Sequence, residues 1–254
     1  MNHRLLRVVS LYSLSFSLAS IPLAAQSPES GAPRAKVEFA VYPVGSGGWD
    51  DVYYQAAPGV FEPLSFWAFE RSPAHEFEGV LPIQFYREDR DEEGNPSYQA
   101  VATAPTVQGS DRLLFFFLPR NEGSGDASRG FQVVAMDDRL SRFPLNTITF
   151  FNATGATLEG TLGNEPLYLQ RGISAPYRLD DDWEDEIFVG LAVRFEGGVR
   201  KVLQNRWRFY PDYREIIILM PPRIPGSFRI EAFRLTQHAE EIRPQDSLPD
   251  TSGR

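Results

Sequence analysis

The sequence predicts an all-β protein built from two tandem antiparallel β-sandwiches. Three observations carry that prediction: a hydrophobic period of two along most of the chain, closely spaced turn signals, and one order of features that occurs twice. In Lys36 to Tyr42, Val37, Phe39 and Val41 point one way while Lys36, Glu38 and Ala40 point the other. Leu191, Val193 and Phe195 alternate with Ala192, Arg194 and Glu196. Trp207 and Phe209 alternate with Arg206, Arg208 and Tyr210, and Phe228, Ile230 and Ala232 with Ser227, Arg229 and Glu231. A period of two is the mark of strands with one buried and one wet face.

Turn signals separate these runs. The clearest are the glycine loop 45–48, Glu93-Gly94-Asn95-Pro96, Gly163-Asn164 and Gly197-Gly198. The last reads as a hairpin turn, since tight hairpin turns take residues with positive φ. About fifteen strands are expected, with a single helical turn over Asp137 to Phe143 joining the halves. Many short strands with regular turns argue for sandwiches or barrels.

The repeated order spans about 90 residues. Glu62-Pro63-Leu64 mirrors Glu165-Pro166-Leu167, and each is followed by a strand and a long hairpin, Ile83 to Thr103 or Ile187 to Phe209. Arg112 precedes the apolar run 113–118, then Pro119; Arg214 precedes the run 216–220, then Pro221. A last strand follows in each case, Phe131 to Met136 or Phe228 to Leu235. This places a first sandwich at 36–140 and a second at 144–236, related by internal duplication. The continuous apolar runs imply strands covered on both faces. The sister sandwich is the expected cover, with docking of another protein as the alternative.

Residues 1–25 read as a signal peptide. Arg4 and Arg7 form a positive start, Val8 to Leu18 is mainly apolar, and Leu23-Ala24-Ala25 supplies small residues before Gln26. The stretch is shorter than a membrane span and diluted by serine, so no transmembrane segment is expected in the mature chain. Residues 26–35 read as a flexible leader and 237–254 as a disordered tail. Loss of the signal peptide takes away Arg4 and Arg7 and no acid, so the net charge of −9 becomes −11. That field disfavours nucleic acid and anionic membrane surfaces. With no cysteine there is no lipoprotein anchor, disulfide or thiolate chemistry, and about 229 residues suffice to build cores without disulfides. The expected address is periplasmic or secreted, in a bacterial envelope.

Ile148-Thr149-Phe150-Phe151-Asn152-Ala153-Thr154, then Leu162-Gly163-Asn164, then Ile173-Ser174-Ala175-Pro176-Tyr177 resemble the opening of the Ig-like domains found in tandem in exported bacterial proteins. A similar opening occurs in the periplasmic accessory protein of alginate acetylation. The resemblance covers most of the second half and rests on strand order. It implies a non-enzymatic envelope role and transfers no functional residue.

No motif for catalysis, metal or nucleotide rises above background. His75, in the loop-like Ser72-Pro73-Ala74-His75-Glu76, reads as an incidental surface histidine, and His238 lies in the polar tail. A Ser-His-Asp triad or a histidine zinc site therefore lacks its parts. Asp89 to Gly94 resembles the start of a calcium loop, but position twelve is Ala100. Asp180-Asp181-Asp182 beside Trp183 is a surface cation candidate. No cofactor and no metal are expected. Aromatics make up 13% of the chain, and Trp49, Tyr53, Tyr54 and Trp67 lie next to the glycine loop. The favoured reading is that they fill the small cores, and the alternative is that Trp49, Tyr54 and Trp67 are exposed and stack on sugar rings. The expected function is a non-catalytic envelope module that binds or assembles with a protein or polysaccharide. The alternative is a carbohydrate-active enzyme using two carboxylates.

Overall fold

A computed structural model of the chain describes residues 34–45, 49, 51–119, 130–179 and 186–242. The expected signal peptide, most of the leader, the acidic run 180–182 with Trp183, and residues 243–254 of the tail lie outside the described residues. The described part is all-β and sandwich-like, with four sheets. Among the described residues no helix is long and apolar enough to cross a membrane.

The first half holds β1 (Arg34–Pro43), β2 (Val52–Ala57), β3 (Val60–Pro63), β4 (His75–Val80), β5 (Gln84–Arg90), β6 (Pro96–Thr103), β7 (Arg112–Pro119) and β8 (Phe131–Asp137). They form two sheets, ordered β4-β1-β7-β8 and β3-β2-β5-β6. The second half holds β9 (Thr147–Asn152), β10 (Leu158–Leu162), β11 (Glu165–Leu169), β12 (Gly172–Ile173), β13 (Tyr177–Arg178), β14 (Glu186–Phe195), β15 (Gly198–Arg208), β16 (Tyr213–Met220) and β17 (Glu231–His238). Its sheets are ordered β12-β9-β16-β17, with β13 also on β9, and β11-β10-β14-β15. The order in one half is the order in the other.

One pairing in each half departs from the antiparallel expectation. β1 runs parallel to β7, and β9 runs parallel to β16. In each half the opening strand and the long apolar strand lie side by side at the centre of a sheet, an adjacency that local turn signals do not reveal.

Alternation sets the cores. Val37, Phe39 and Val41 of β1 and Leu113, Phe115 and Phe117 of β7 meet Val52, Tyr54 and Phe85 of the facing sheet. In the second half Ile148 and Phe150 of β9 and Ile217 and Leu219 of β16 meet Leu158, Val189, Leu191 and Trp207. Each buried side chain of this size removes about 1.5–3 kcal/mol worth of apolar surface from water.

The other face of the apolar runs is buried too. Ala40, Tyr42, Leu114, Phe116 and Leu118 of the first half share one cluster with Phe151, Ile216, Ile218 and Leu235 of the second. Phe116 lies 4.9 Å from Phe151 and Phe69 stacks on Phe233 at 4.6 Å. Each half therefore covers the outer face of the other half's central strand. The expected helical turn between halves is a hydrogen-bonded turn in which the Phe143 and Arg142 N–H groups donate to the Arg139 carbonyl.

Four boundaries differ from the sequence reading. The leader ends earlier, because Arg34 and Ala35 already pair with Val80 and Gly79. The last strand starts at Glu231 rather than Phe228, because the Ile230 N–H donates to Val202 in the other sheet and takes the chain out of the ladder. The tail starts later, since Gln237 and His238 still pair with Arg214 and Tyr213 and Ile242 is buried. In the β14–β15 hairpin Glu196 and Gly197 form the turn between the paired Phe195 and Gly198, and only Gly198 has positive φ, at +119°.

Candidate functional site

Three aromatics stand out in the sequence near the glycine loop, and the structure separates them. Tyr54 is 2% exposed, packs edge-on against Phe39, and donates its hydroxyl to Glu62 at 2.7 Å. Its ring is part of the core and offers no face to a ligand. Burial, with Glu62 beside it, drives the phenol far above its ordinary range. Trp49 is half-buried, edge-on to Phe131 at 5.6 Å, with its indole N–H donated to the Gly45 carbonyl. Trp67 is 78% exposed. Trp49 and Trp67 line one open hollow of about 410 Å³, whose polar lining includes Asp51, Ser65 and Arg71.

The segment carrying Trp67 is pinned along its length. The Leu64 N–H donates to Val52, the Phe69 N–H to Pro43, the Glu70 N–H to Trp67 itself, and the Ser72 N–H to Val41. The Ser72 hydroxyl accepts the Val41 N–H at 2.9 Å and donates to the Pro73 carbonyl. Phe69 has φ +62°, a conformation disfavoured for a bulky side chain, held by its stacking on Phe233. Arg71 is tied to the buried Asp138. A large exposed indole on a backbone fixed at this many points loses little freedom on meeting a ligand, which is the condition for tight contact by a single ring.

Asp138 is the hub of a buried charge network. Its carboxylate, fully buried, accepts Arg71 at 2.5 Å, Arg214 at 2.9 Å and Arg112 at 3.3 Å. Arg214 also donates to the carbonyls of Asp138 and Phe143 and to Gln237, and lies over the Phe143 ring. Burial alone would raise the Asp138 carboxyl, but Arg71, Arg214 and Arg112 outweigh it and hold it below the usual carboxylate range. Burial pulls the Arg214 guanidinium down to about 10. Arg71 and Arg112 come from the first half, Arg214 and Gln237 from the second, and Asp138 from the connection. The network joins the halves and fixes the base of the Trp67 segment.

His75 is not a surface loop residue. It opens β4, stacks on Phe39 at 5.4 Å, and leaves Nε2 buried without a hydrogen-bond partner. Desolvation holds its pKa below the ordinary value, against the opposing field of Glu62. The unfolded chain takes up a proton at about pH 6.5, before the folded chain does. This contribution to stability is therefore complete above that pH and falls as the solution is acidified through it. Thermal melts between pH 7.5 and 5 are expected to show that loss, and His75→Phe to remove part of it. Identical slopes in the two proteins would assign the pH dependence elsewhere.

The acidic hairpin tip is closed on itself. The Asp91 carboxylate accepts the backbone N–H groups of Glu93 and Asn95, and those bonds lower its pKa. Among the described residues no group of three or more His, Asp or Glu side chains is placed to hold a metal ion. A groove of about 1100 Å³ runs between the halves past Pro119, Gln132, Thr154, Arg171 and Met220. Among the described residues its lining contains no carboxylate.

Of a second aromatic surface, the sequence singles out only Tyr53. Tyr53, Phe61, Tyr86 and Tyr98 stand on the outer face of β3-β2-β5-β6, with Phe61 stacked on Tyr98 at 4.0 Å and edge-on to Tyr86 at 4.9 Å. The signal was available: Tyr53 and Tyr86 sit one residue out of phase with the core residues Val52, Tyr54 and Phe85. These rings chiefly cover one another, a cross-strand arrangement that stabilises the sheet. No family model matches the chain, and no curated protein matches it.

Proposed function

We propose that this chain is a non-catalytic, exported binding module of the bacterial cell envelope, and that it holds polysaccharide on the surface around Trp67. The observation that carries the proposal is the Trp67 indole, 78% exposed at the rim of a hollow and mounted on a pinned segment. An indole face gives apolar contact to a sugar ring, while Asp51 and Ser65 in the same hollow offer hydrogen bonds to its hydroxyls. A docked protein is the weaker reading, because the continuous apolar strands that would have received it are covered by the other half of the chain.

The finer description of the fold belongs to the same proposal: two Ig-like sandwiches related by duplication. Its support is the shared strand order and a shared side-chain device. Ser72 Oγ accepts the Val41 N–H and Ser174 Oγ accepts the Phe150 N–H, and each serine donates to the next carbonyl.

The test is affinity electrophoresis of the full chain through gels containing soluble glucan, mannan or peptidoglycan fragments. Retardation by one of them, weakened about tenfold or more in Trp67→Ala, is expected, with the melting temperature unchanged. Retardation unaffected by Trp67→Ala, or recovery of one stoichiometric protein and no glycan from cross-linked envelopes, would overturn it.

A further inference from the structure

We infer that the outer face of the β11-β10-β14-β15 sheet is a second, separate binding surface, and that its ligand is an acidic polysaccharide bearing uronate or sulfate groups. Ile187, Val189 and Leu191 of β14 point into the core, so Phe188, Gly190, Ala192 and Arg194 stand on the opposite side. The register sets Arg206 opposite Phe188 and Lys201 opposite Ala192 on that same face.

Charge selects the ligand. The chain as a whole carries −9, yet this face of β15 presents Lys201, Arg206 and Arg208, while Arg200 turns to the other side over Phe228. Arg208 is paired with Glu186, and neighbouring Arg194 with Glu159. Lys201 and Arg206 are exposed and have no carboxylate partner among the described residues. A bulge at Val202 keeps both on one face and leaves four paired positions between them, Phe188 to Ala192 on β14. That is a separation of about 13 Å, too far for one small anion and suited to successive charges on a polymer. An aromatic floor lies beside them. The Phe188 ring leans along the strand over Gly190, where an added Cβ would come within 2.8 Å of its Cε1. Only a residue without a side chain leaves room for a ring lying flat, and a flat ring next to cations matches a sugar face flanked by acid groups.

A polymer chain fits this surface better than a bilayer does. The cations and the ring lie on a flat sheet face, whereas surface-seeking segments insert a projecting apolar side. The net negative charge of the molecule repels an extended anionic surface, while a single chain feels mainly the charges within a screening length of about 8 Å.

The experiment compares binding of the full chain to polygalacturonate and to its fully methylated ester, which keeps the backbone and removes the charge. Binding to the acid form, at least tenfold weaker binding to the ester, and weakening with added NaCl are expected. Lys201→Glu/Arg206→Glu should lose at least tenfold in affinity at unchanged melting temperature, with Lys201→Gln/Arg206→Gln as the milder pair should the reversal perturb folding. Equal binding of acid and ester, indifference to the charge-changing pairs, or a preference for phosphatidylglycerol vesicles would overturn the inference. The surface is independent of Trp67: loss only in Trp67→Ala would leave the first proposal standing and sink this one, and loss only in the charge variants would do the reverse.

Discussion

Asp138→Ala is expected to destabilise the protein by about 3–5 kcal/mol, read as a fall in the urea unfolding midpoint. Removal of a partner from a buried ion pair leaves an uncompensated charge, and that is what makes the loss large. Here the abandoned group is Arg214, whose side chain is fully buried and whose Nη2 is 2.9 Å from Asp138. The two carbonyls and Gln237 that Arg214 also reaches are neutral and do not replace a carboxylate. Arg71 is left with the same deficit at slightly greater exposure, whereas Arg112 keeps Glu38 at 3.8 Å. The exposed pair Arg194–Glu159 is the control, since Glu159→Ala at a solvated site is expected to cost about 1 kcal/mol or less. A loss near that of the control for Asp138→Ala would mean that water replaces the carboxylate.

The same carboxylate fixes an acid limit. Its pKa is held below the ordinary value in the fold, so its contribution is present above the unfolded value of about 3.9. It is lost as pH falls through the lower folded value.

Phe116→Ala is the second large effect, about 3–5 kcal/mol for deleting a fully buried ring. Its distinguishing feature is where the loss falls. Phe116 packs on Tyr42 of its own half and on Phe151 of the other. Its neighbour Phe115 points the opposite way, into the first-half core. Hydrogen exchange should separate the two. Phe116→Ala is expected to reduce protection at Ile216 and Ile218, which share its cluster, whereas Phe115→Ala should lower protection first within the first half. Unchanged protection at 216–218 in Phe116→Ala would show that the halves are energetically independent despite their contact.

Much of the architecture was legible because a strand reports its own burial. Val37, Phe39 and Val41 alternate, and they line one core. The runs 113–118 and 216–220 do not alternate, and both of their faces are buried. The hairpins over 84–103 and 186–208 follow from alternating runs separated by turn residues. The site was less legible, because exposure depends on what packs from a distance. Tyr53 and Tyr54 are neighbours of one chemistry, yet one faces outward and the other is closed into the core by strand phase. His75 reads as a loop residue beside the turn signal Ser72-Pro73, but pairing of β4 with β1 makes it a strand residue stacked on Phe39.

The sequence by itself determined the strand content, the repeated order and the need to cover two apolar strands on both faces, since each of these is written in local periodicity. Only the tertiary structure decided what does the covering, which aromatics stay outside, and that one aspartate in the connection gathers arginines from positions 71, 112 and 214. Those outcomes depend on contacts between residues far apart in the chain, where neither spacing nor composition carries the distance.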